Sequence, residues 1–143
     1  MNDIDISIDA ARLDVAAVHR FLAQESHWAR GIDRTTVERS VRNSLCFGAF
    51  RDGTQIGFAR VVTDRATFAF VCDVFVVPEA RGQGVARRLV DAIMRHPDLQ
   101  GLRRMALTSR DAQGLYEHAG FAGLANPERW MERFFPAIYG AAS

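Results

Sequence analysis

The sequence has few cysteines and no arrangement of residues that indicates a metal site. Cys46 and Cys72 are its two cysteines among 143 residues, and both lie within apolar, strand-like runs. We interpret them as buried free thiols in a reducing compartment. A metal site needs cysteine and histidine at ligand spacing, which the four histidines do not supply. We therefore expect no metal.

A strong charge of one sign is also missing, as is a long apolar run. The formal net charge is +1, so the overall field does not recruit nucleic acid or an anionic membrane surface. No apolar run approaches the roughly 18 residues of a membrane span. The acidic beginning, MNDIDISIDAARLD, lacks the apolar core of a signal peptide. We expect a cytoplasmic protein whose partners include neither membrane nor nucleic acid.

The length and the pattern of elements predict a single mixed α/β domain over residues 1–143. Hydrophobic periodicity predicts strands at 4–8, 44–50, 56–63, 66–77, 102–108 and 130–135, and helices at 10–24, 36–43, 84–95 and 111–118. Asp33 or Thr35 is the expected cap of the second helix, Thr35 in a capping box with Glu38. An Asp-Gly pair between two apolar runs predicts a hairpin. Gly120 is the expected C-cap of the last helix.

The segment VFVVPEARGQGVARRLVDAIM joins a strand to a helix through a loop with two glycines. A helix N-terminus presents unpaired N–H groups, and Gly82 and Gly84 let a ligand approach the backbone. Nearby arginines, among them Arg81 and Arg87, add positive charge. The loop thus favours a phosphate site, although a tight turn with solvated arginines explains the same residues. A P-loop is excluded because no lysine follows Gly84, and a dinucleotide fingerprint because Arg87 stands in place of its third glycine.

The same loop resembles a known family. Arg81, Gly84 and Ala86 form an Arg-x-x-Gly-x-Ala pattern, which is similar to the pyrophosphate-binding motif of the GNAT acetyltransferase superfamily. About 25 residues later, LYEHAGF resembles the L-Y-x-x-x-G-F segment of that family. The chain departs from the family at Ser109, where asparagine is common. A serine still donates one hydrogen bond.

The resemblance implies a mostly antiparallel GNAT sheet, flanked by about four helices and splayed at the cofactor strand. It implies acetyl-CoA-dependent transfer of an acetyl group to a primary amine of a small molecule or protein, by direct attack and without a metal. A homodimer is compatible with it. The residues that it places at the cofactor are Phe75, Val76, Val77, Arg81, Gly82, Gln83, Gly84, Val85, Ala86, Arg87, Ser109 and Tyr116.

The resemblance also suggests roles in the reaction. Tyr116 matches the tyrosine that protonates the departing thiolate, and the N–H of Val76 is the expected donor to the oxyanion. Asp73 is a carboxylate in an otherwise apolar strand, so it needs a partner or a wet cleft. We expect it to act as the base, with Glu25 and His27 as weaker candidates. A structural salt bridge to an arginine such as Arg60 is the alternative.

The acceptor site is expected beside the irregular segment that follows the first helix. Candidate substrate-binding residues are Glu25, His27, Trp28, Arg30 and Phe68, with Trp130 as a further pocket residue. Each is also explained as ordinary core or surface. A CoA-binding or regulatory module that has lost turnover is the competing hypothesis. Nucleic-acid binding is disfavoured because no aromatics interleave with the arginines.

Overall fold

The computed structural model describes residues 3–140 and contains a five-stranded sheet. Its strands lie side by side in chain order: β1 (Asp5–Ser7), β2 (Leu45–Arg51), β3 (Thr54–Thr63), β4 (Phe68–Val76) and β5 (Arg104–Leu107). Neighbouring strands are antiparallel except β4 and β5, which are parallel. The helices are α1 (Val15–Gln24), α2 (Arg34–Arg42), α3 (Val85–Arg95) and α4 (Gln113–His118). The predicted fold class is confirmed.

Helices cover the sheet on both faces, and each face has its own core. Leu89 of α3 packs in a cluster with Phe47 of β2, whereas Leu22 of α1 and Val37 of α2 pack in a cluster with Phe58 of β3. Because both faces are covered, β2 is buried along nearly its whole length and does not alternate between apolar and polar residues. The two helical layers therefore fix the sheet from opposite sides.

Local signals in the sequence explain most turns and helix ends. Asp52 and Gly53 take φ values of 50° and 78°, as a two-residue hairpin between β2 and β3 requires. The side chain of Asp33 accepts a hydrogen bond from the N–H of Thr36 and caps α2, so the Asp33 alternative is confirmed. After α4, the N–H of Gly120 bonds to the carbonyl of Glu117, as expected of a C-cap.

The predicted starts of the first two helices are wrong. The first α-helix begins at Val15, because Asp14 caps it and the preceding Ala10–Arg12 forms only a 3₁₀ turn. The second begins at Arg34, so Thr35 is already helical and does not cap; Glu38 pairs with Arg34 instead. In both cases an aspartate that precedes the helix takes up the free N–H groups of the first turn.

The predicted last strand, 130–135, is also wrong. These residues follow a 3₁₀ turn at Pro127–Arg129 and form no strand within the described chain. A strand exists only by pairing, and no neighbouring strand pairs with this segment among residues 3–140. No helix in that range is both long and apolar enough to cross a bilayer.

Candidate active site

A β-bulge in β4 sets the geometry of the site. Phe58 of β3 pairs with Phe75, but Arg60 pairs with Cys72, so Asp73 and Val74 together oppose one residue of β3. Asp73 has φ of 52°, in the left-handed region that non-glycine residues seldom adopt. The extra residue bends the strand and redirects the side chains around it.

Beyond the bulge, β4 separates from β5. The two strands pair from Phe68 to Val71, and the remaining half of β4 has no pairing with β5 in the described chain. The N–H of Val77 bonds to the carbonyl of Ile56 on β3. Because bonded and non-bonded pairs alternate in an antiparallel ladder, the N–H of Val76 points away from β3 toward the open side. The expected splay of β4 from β5 is present.

The loop before α3 carries a row of free backbone donors. Between Arg81 and Arg88, no backbone N–H donates to another of residues 3–140, so six consecutive groups from Gly82 to Arg87 are available. Gly84 is the N-cap of α3 with φ of 81°, and a Cβ built there meets no atom within 4 Å. Donors at the positive end of a helix form a site for an anion.

The arginines of this loop differ in what their side chains do. Nε of Arg81 donates to the carbonyl of Val76 at 3.0 Å and so ties the loop to the open end of β4. Arg88 donates to the carbonyl of Ile4 and points away from the loop. Arg87 is exposed and lies 3.8 Å from Asp91, a distance that leaves its guanidinium free to turn toward a ligand.

A cleft of about 700 Å³ opens on the sheet face beside the bulge. Six of the residues that the sequence singled out line it or border it: His27, Trp28, Arg60, Asp73, Ser109 and Tyr116. Residues 81–87 of the loop before α3 and Phe75 of β4 do not line it. The open edge of β4 connects the two regions, since Val74 faces the cleft and Val76 carries the free N–H.

Both carboxylate oxygens of Asp73 accept hydrogen bonds. Oδ2 accepts from Nε of Arg60 at 2.8 Å, and Oδ1 accepts from Nε1 of Trp28 at 2.7 Å. The side chains of Arg60 and Asp73 are 19% and 10% exposed. Arg60 also donates to Oγ of Ser44. The salt bridge named as an alternative is therefore formed, and a role of Asp73 as base stays a prediction.

Tyr116 lies in α4 at the wall of the cleft and is 9% exposed. Its ring packs edge-on against Phe121 at 6.0 Å. Burial raises the pKa of the phenol above its ordinary value, so the hydroxyl keeps its proton throughout the neutral range. No described residue forms a hydrogen bond with that hydroxyl. A protonated and unpartnered donor is thus available at the wall of the cleft.

Ser109 shapes the turn that carries Tyr116. Its Oγ accepts a hydrogen bond from the N–H of Ala112 at 3.0 Å, and its carbonyl accepts from the side chain of Gln113. Both contacts fix the start of α4. The hydroxyl hydrogen of Ser109 remains free to donate.

Both cysteines are free thiols; Cys46 is buried as expected, whereas Cys72 is only partly buried. Burial raises the pKa of Cys46 to about 11 and the pKa of Cys72 to about 12. Cys72 lines the cleft but stays a thiol at neutral pH, which makes it a poor nucleophile. No group of three His, Cys, Asp or Glu side chains that could hold a metal occurs between residues 3 and 140.

The remaining acceptor-site candidates lie outside the cleft lining. The N–H of Glu25 closes the last turn of α1, Arg30 is exposed, and Phe68 stands at the far end of β4 opposite Arg104. Trp130 stacks against the Arg104 guanidinium instead. The cleft lining holds further residues that the sequence did not reveal: Thr36, Ser40, Val62, Phe70, Thr108 and Tyr139. The alternation of side chains along β4 could have indicated that Phe70 lines the cleft. The other five residues line it only because segments distant in sequence come together in the fold.

A family model described as the acetyltransferase (GNAT) family matches residues 15–121. That range includes every helix and four strands of the sheet, with the loop before α3 and the whole of α4. The chain therefore belongs to the GNAT acetyltransferase family. The resemblance inferred from the sequence is confirmed.

Individual relatives agree with this assignment. A solved structure from Xanthomonas campestris pv. campestris, a candidate acetyltransferase of the GNAT family, is 48% identical with a TM-score of 0.95, and the likeness covers 99% of both chains. A candidate acetyltransferase from Gibberella zeae is 30% identical over 80% of this chain and 76% of its own length. A candidate acetyltransferase from Clostridium acetobutylicum, solved with acetyl-CoA, shares the fold at 16% identity with a TM-score of 0.64, over 94% of this chain and 96% of that one.

Proposed function

We propose that the protein is an acetyl-CoA-dependent N-acetyltransferase that acetylates a primary amine of a small molecule or protein by direct attack. The observation that carries this proposal is the row of six free N–H groups from Gly82 to Arg87, next to the unpaired half of β4. The row fits the pyrophosphate of CoA, and the unpaired strand edge fits its amide-containing pantetheine arm. A relative of the same fold binds acetyl-CoA, which supports this cofactor.

We assign one group of the chain to each step of the reaction. The lone pair of the neutral amine attacks the thioester carbon, and the N–H of Val76 donates to the oxygen on which negative charge develops. The C–S bond then breaks, and the hydroxyl of Tyr116 gives its proton to the CoA thiolate. The proton lost by the amine leaves through the cleft to Asp73, directly or through water. No metal takes part in this scheme.

The raised pKa of Cys72 supports direct attack over an acyl-enzyme route. We expect Cys72→Ala to keep kcat within about twofold of wild type, whereas loss of a true nucleophile costs about 10³-fold or more. Steady-state release of free CoA measures the effect. Cys46→Ala is the control for thiol removal, since Cys46 lies in the core and outside the cleft lining. A thousandfold loss confined to Cys72→Ala would contradict direct attack.

The activity test is release of free CoA thiol from acetyl-CoA across polyamines, amino acids, aminoglycosides and N-terminal peptides. The chain contains no lysine, so self-acetylation of side-chain amines does not contribute to the signal. Sustained turnover with one acceptor class supports the proposal. Tight CoA binding without turnover on any amine would favour the alternative, a CoA-binding or regulatory module.

Asp73→Asn tests both roles of that carboxylate. It leaves the half-buried Arg60 without its ion-pair partner, and we expect a loss of about 2–3 kcal/mol in stability. If Asp73 is also the base, kcat at neutral pH falls by roughly 10²-fold and the acidic limb of the pH–rate profile changes. Thermal unfolding and pH–rate profiles measure the two effects separately.

Arg60→Met is the matched control, because it breaks the same ion pair and keeps the carboxylate. Equal kinetic losses in Asp73→Asn and Arg60→Met would assign Asp73 a structural role only. A much larger loss in Asp73→Asn would support its role as base.

A further inference from the structure

Helices α1 and α2 leave part of their face of the sheet uncovered. Cys46 of β2 belongs to the cluster under these helices and pairs with Arg60 of β3, so Arg60 points to the same face. Because side chains alternate along a strand, Val62 points there as well, together with Phe70, its partner on β4. Neither packs against that cluster, and Val62 is 43% exposed. Val62 and Phe70 line the cleft, and we call them its apolar floor.

Two aromatic side chains stand beside the apolar floor. Trp28, from the segment between α1 and α2, and Tyr139, from the segment that follows α4, line the same cleft. Trp28 is 44% exposed and Tyr139 39%. An apolar side chain exposed singly needs no explanation. When such side chains converge on one cleft of about 700 Å³, they form an apolar binding surface of the size of a small ligand.

The cleft has little negative charge to offer to a ligand. Among residues 3–140, only Asp73 and Asp111 bring a carboxylate to its lining, and Arg60 and Arg110 line it too. Both oxygens of Asp73 already accept hydrogen bonds, and Asp111 is exposed next to Arg110 in the chain. Protonation of His27, which also lines the cleft, would only add positive charge. A second ammonium group of a ligand would therefore enter without a counter-charge, which is costly away from water.

The apolar floor lies a short distance from the β-bulge. Under the proposed function the amine of the acceptor lies near Asp73, at the bulge. Phe70 is two residues before Cys72 on the same face of the strand, and such residues are about 7 Å apart. An amine at the bulge can therefore place an apolar group on the floor through a link of about two or three carbon atoms.

We propose that the acceptor is a small primary amine with one positive charge and an apolar, ring-sized body on a short link. The body lies on Val62 and Phe70, between Trp28 and Tyr139, and the amino group lies near Asp73. Polyamines and aminoglycosides do not fit, because their further ammonium groups find no free carboxylate. This inference rests on the proposed function, since it names the acceptor class of that reaction.

Release of free CoA from acetyl-CoA with matched acceptors tests the proposal. The acceptors are phenylethylamine, phenylalanine and spermidine. Phenylalanine has the ring and link of phenylethylamine with an added carboxylate, so these two distinguish a free amine from an amino acid. Spermidine has several amino groups and no ring. We expect kcat/KM for at least one of the ring-bearing acceptors to exceed that for spermidine by about tenfold or more.

Val62→Glu tests the position of the apolar body. It adds a carboxylate to the floor at an exposed position, where the fold should tolerate it. We expect kcat/KM for phenylethylamine to fall by about tenfold and that for spermidine to rise. Ile8→Glu is the matched control, because Ile8 is 52% exposed and lies outside the cleft lining. That variant should leave the ratio of the two values unchanged.

The proposal is wrong if spermidine is acetylated as efficiently as both ring-bearing acceptors, or more so. It is also wrong if a folded Val62→Glu variant keeps the wild-type ratio. The comparison of acceptors uses the wild-type chain, so it decides the question even if Val62→Glu fails to fold.

A chain that turns over no amine would contradict the proposed function, and a binding measurement then decides this inference separately. The wild-type chain is titrated calorimetrically with the same acceptors, with and without CoA. Preferential binding of phenylethylamine or phenylalanine would support an apolar cleft for a singly charged amine. Equal or tighter binding of spermidine, or no binding of any of them, would overturn it.

Discussion

Tyr116→Phe is expected to lower kcat by roughly 10²–10⁴, the usual contribution of a positioned general acid. The change removes only the hydroxyl and keeps the ring that packs against Phe121. KM for acetyl-CoA should change little, because the proton is transferred in the transition state and not in the ground-state complex. Steady-state release of CoA, followed on wild type and variant from parallel preparations, measures the effect.

The pH dependence of the wild type gives a second check on Tyr116. Burial raises the pKa of the phenol, so its protonated, proton-donating form persists to higher pH than that of a free tyrosine. Loss of activity through Tyr116 deprotonation should therefore begin above the ordinary range near pH 10. If Tyr116→Phe retained more than about half of kcat with an unchanged thermal midpoint, solvent and not Tyr116 would supply the proton.

Gly84→Val is expected to weaken CoA binding by about 10–100-fold, with a change in KM greater than that in kcat. Gly84 caps α3 at φ of 81°. A branched side chain is strained there and fills the open space through which a pyrophosphate reaches the free N–H groups. Calorimetric titration with CoA, at matched folded fraction, measures the loss.

Gly101→Val is the control for Gly84→Val, because it introduces the same backbone strain at a position where no ligand is expected. Gly101 has φ of 73°, and a Cβ there also meets no atom within 4 Å. It lies just before β5, at the end of the sheet away from the loop that precedes α3. Both variants should lose similar stability, and only Gly84→Val should lose CoA affinity. Equal affinity in wild type and Gly84→Val would show that the pyrophosphate binds elsewhere.

The elements that were predicted best from the sequence are those whose sequence signals lie within one short segment. Asp52 and Gly53 predict a hairpin from two residues alone. Around Gly84, an apolar strand pattern, two glycines and a helical pattern follow one another and together predict the strand, the loop and the helix. The prediction of a strand at residues 130–135 was wrong because a strand forms only when two segments pair. Its composition favours a strand, but residues 3–140 of one chain contain no strand that pairs with it.

Some residues of the candidate site could likewise be predicted from local sequence, and others could not. Gly82 to Arg87 and Tyr116 occur in short segments that can be recognised from local sequence. The contacts of Asp73 cannot, since Arg60 lies 13 residues earlier and Trp28 45 residues earlier. Nothing in the sequence around Asp73 signals the bulge, because its register shift appears only when β4 is paired with β3. The cleft, which is made of still more distant segments, was the least predictable part.

The left-handed backbone at Asp73 restricts which amino-acid substitutions this position can tolerate during evolution. A single nucleotide change in an aspartate codon can yield asparagine, glycine, glutamate, alanine, valine, histidine or tyrosine. Of these, asparagine and glycine adopt φ near 52° with little strain, yet neither replaces the carboxylate that holds Arg60. Glutamate keeps the charge but fits the backbone poorly. Every one-step neighbour of Asp73 thus loses either the backbone geometry or the ion pair, so drift at this residue requires a second, compensating change.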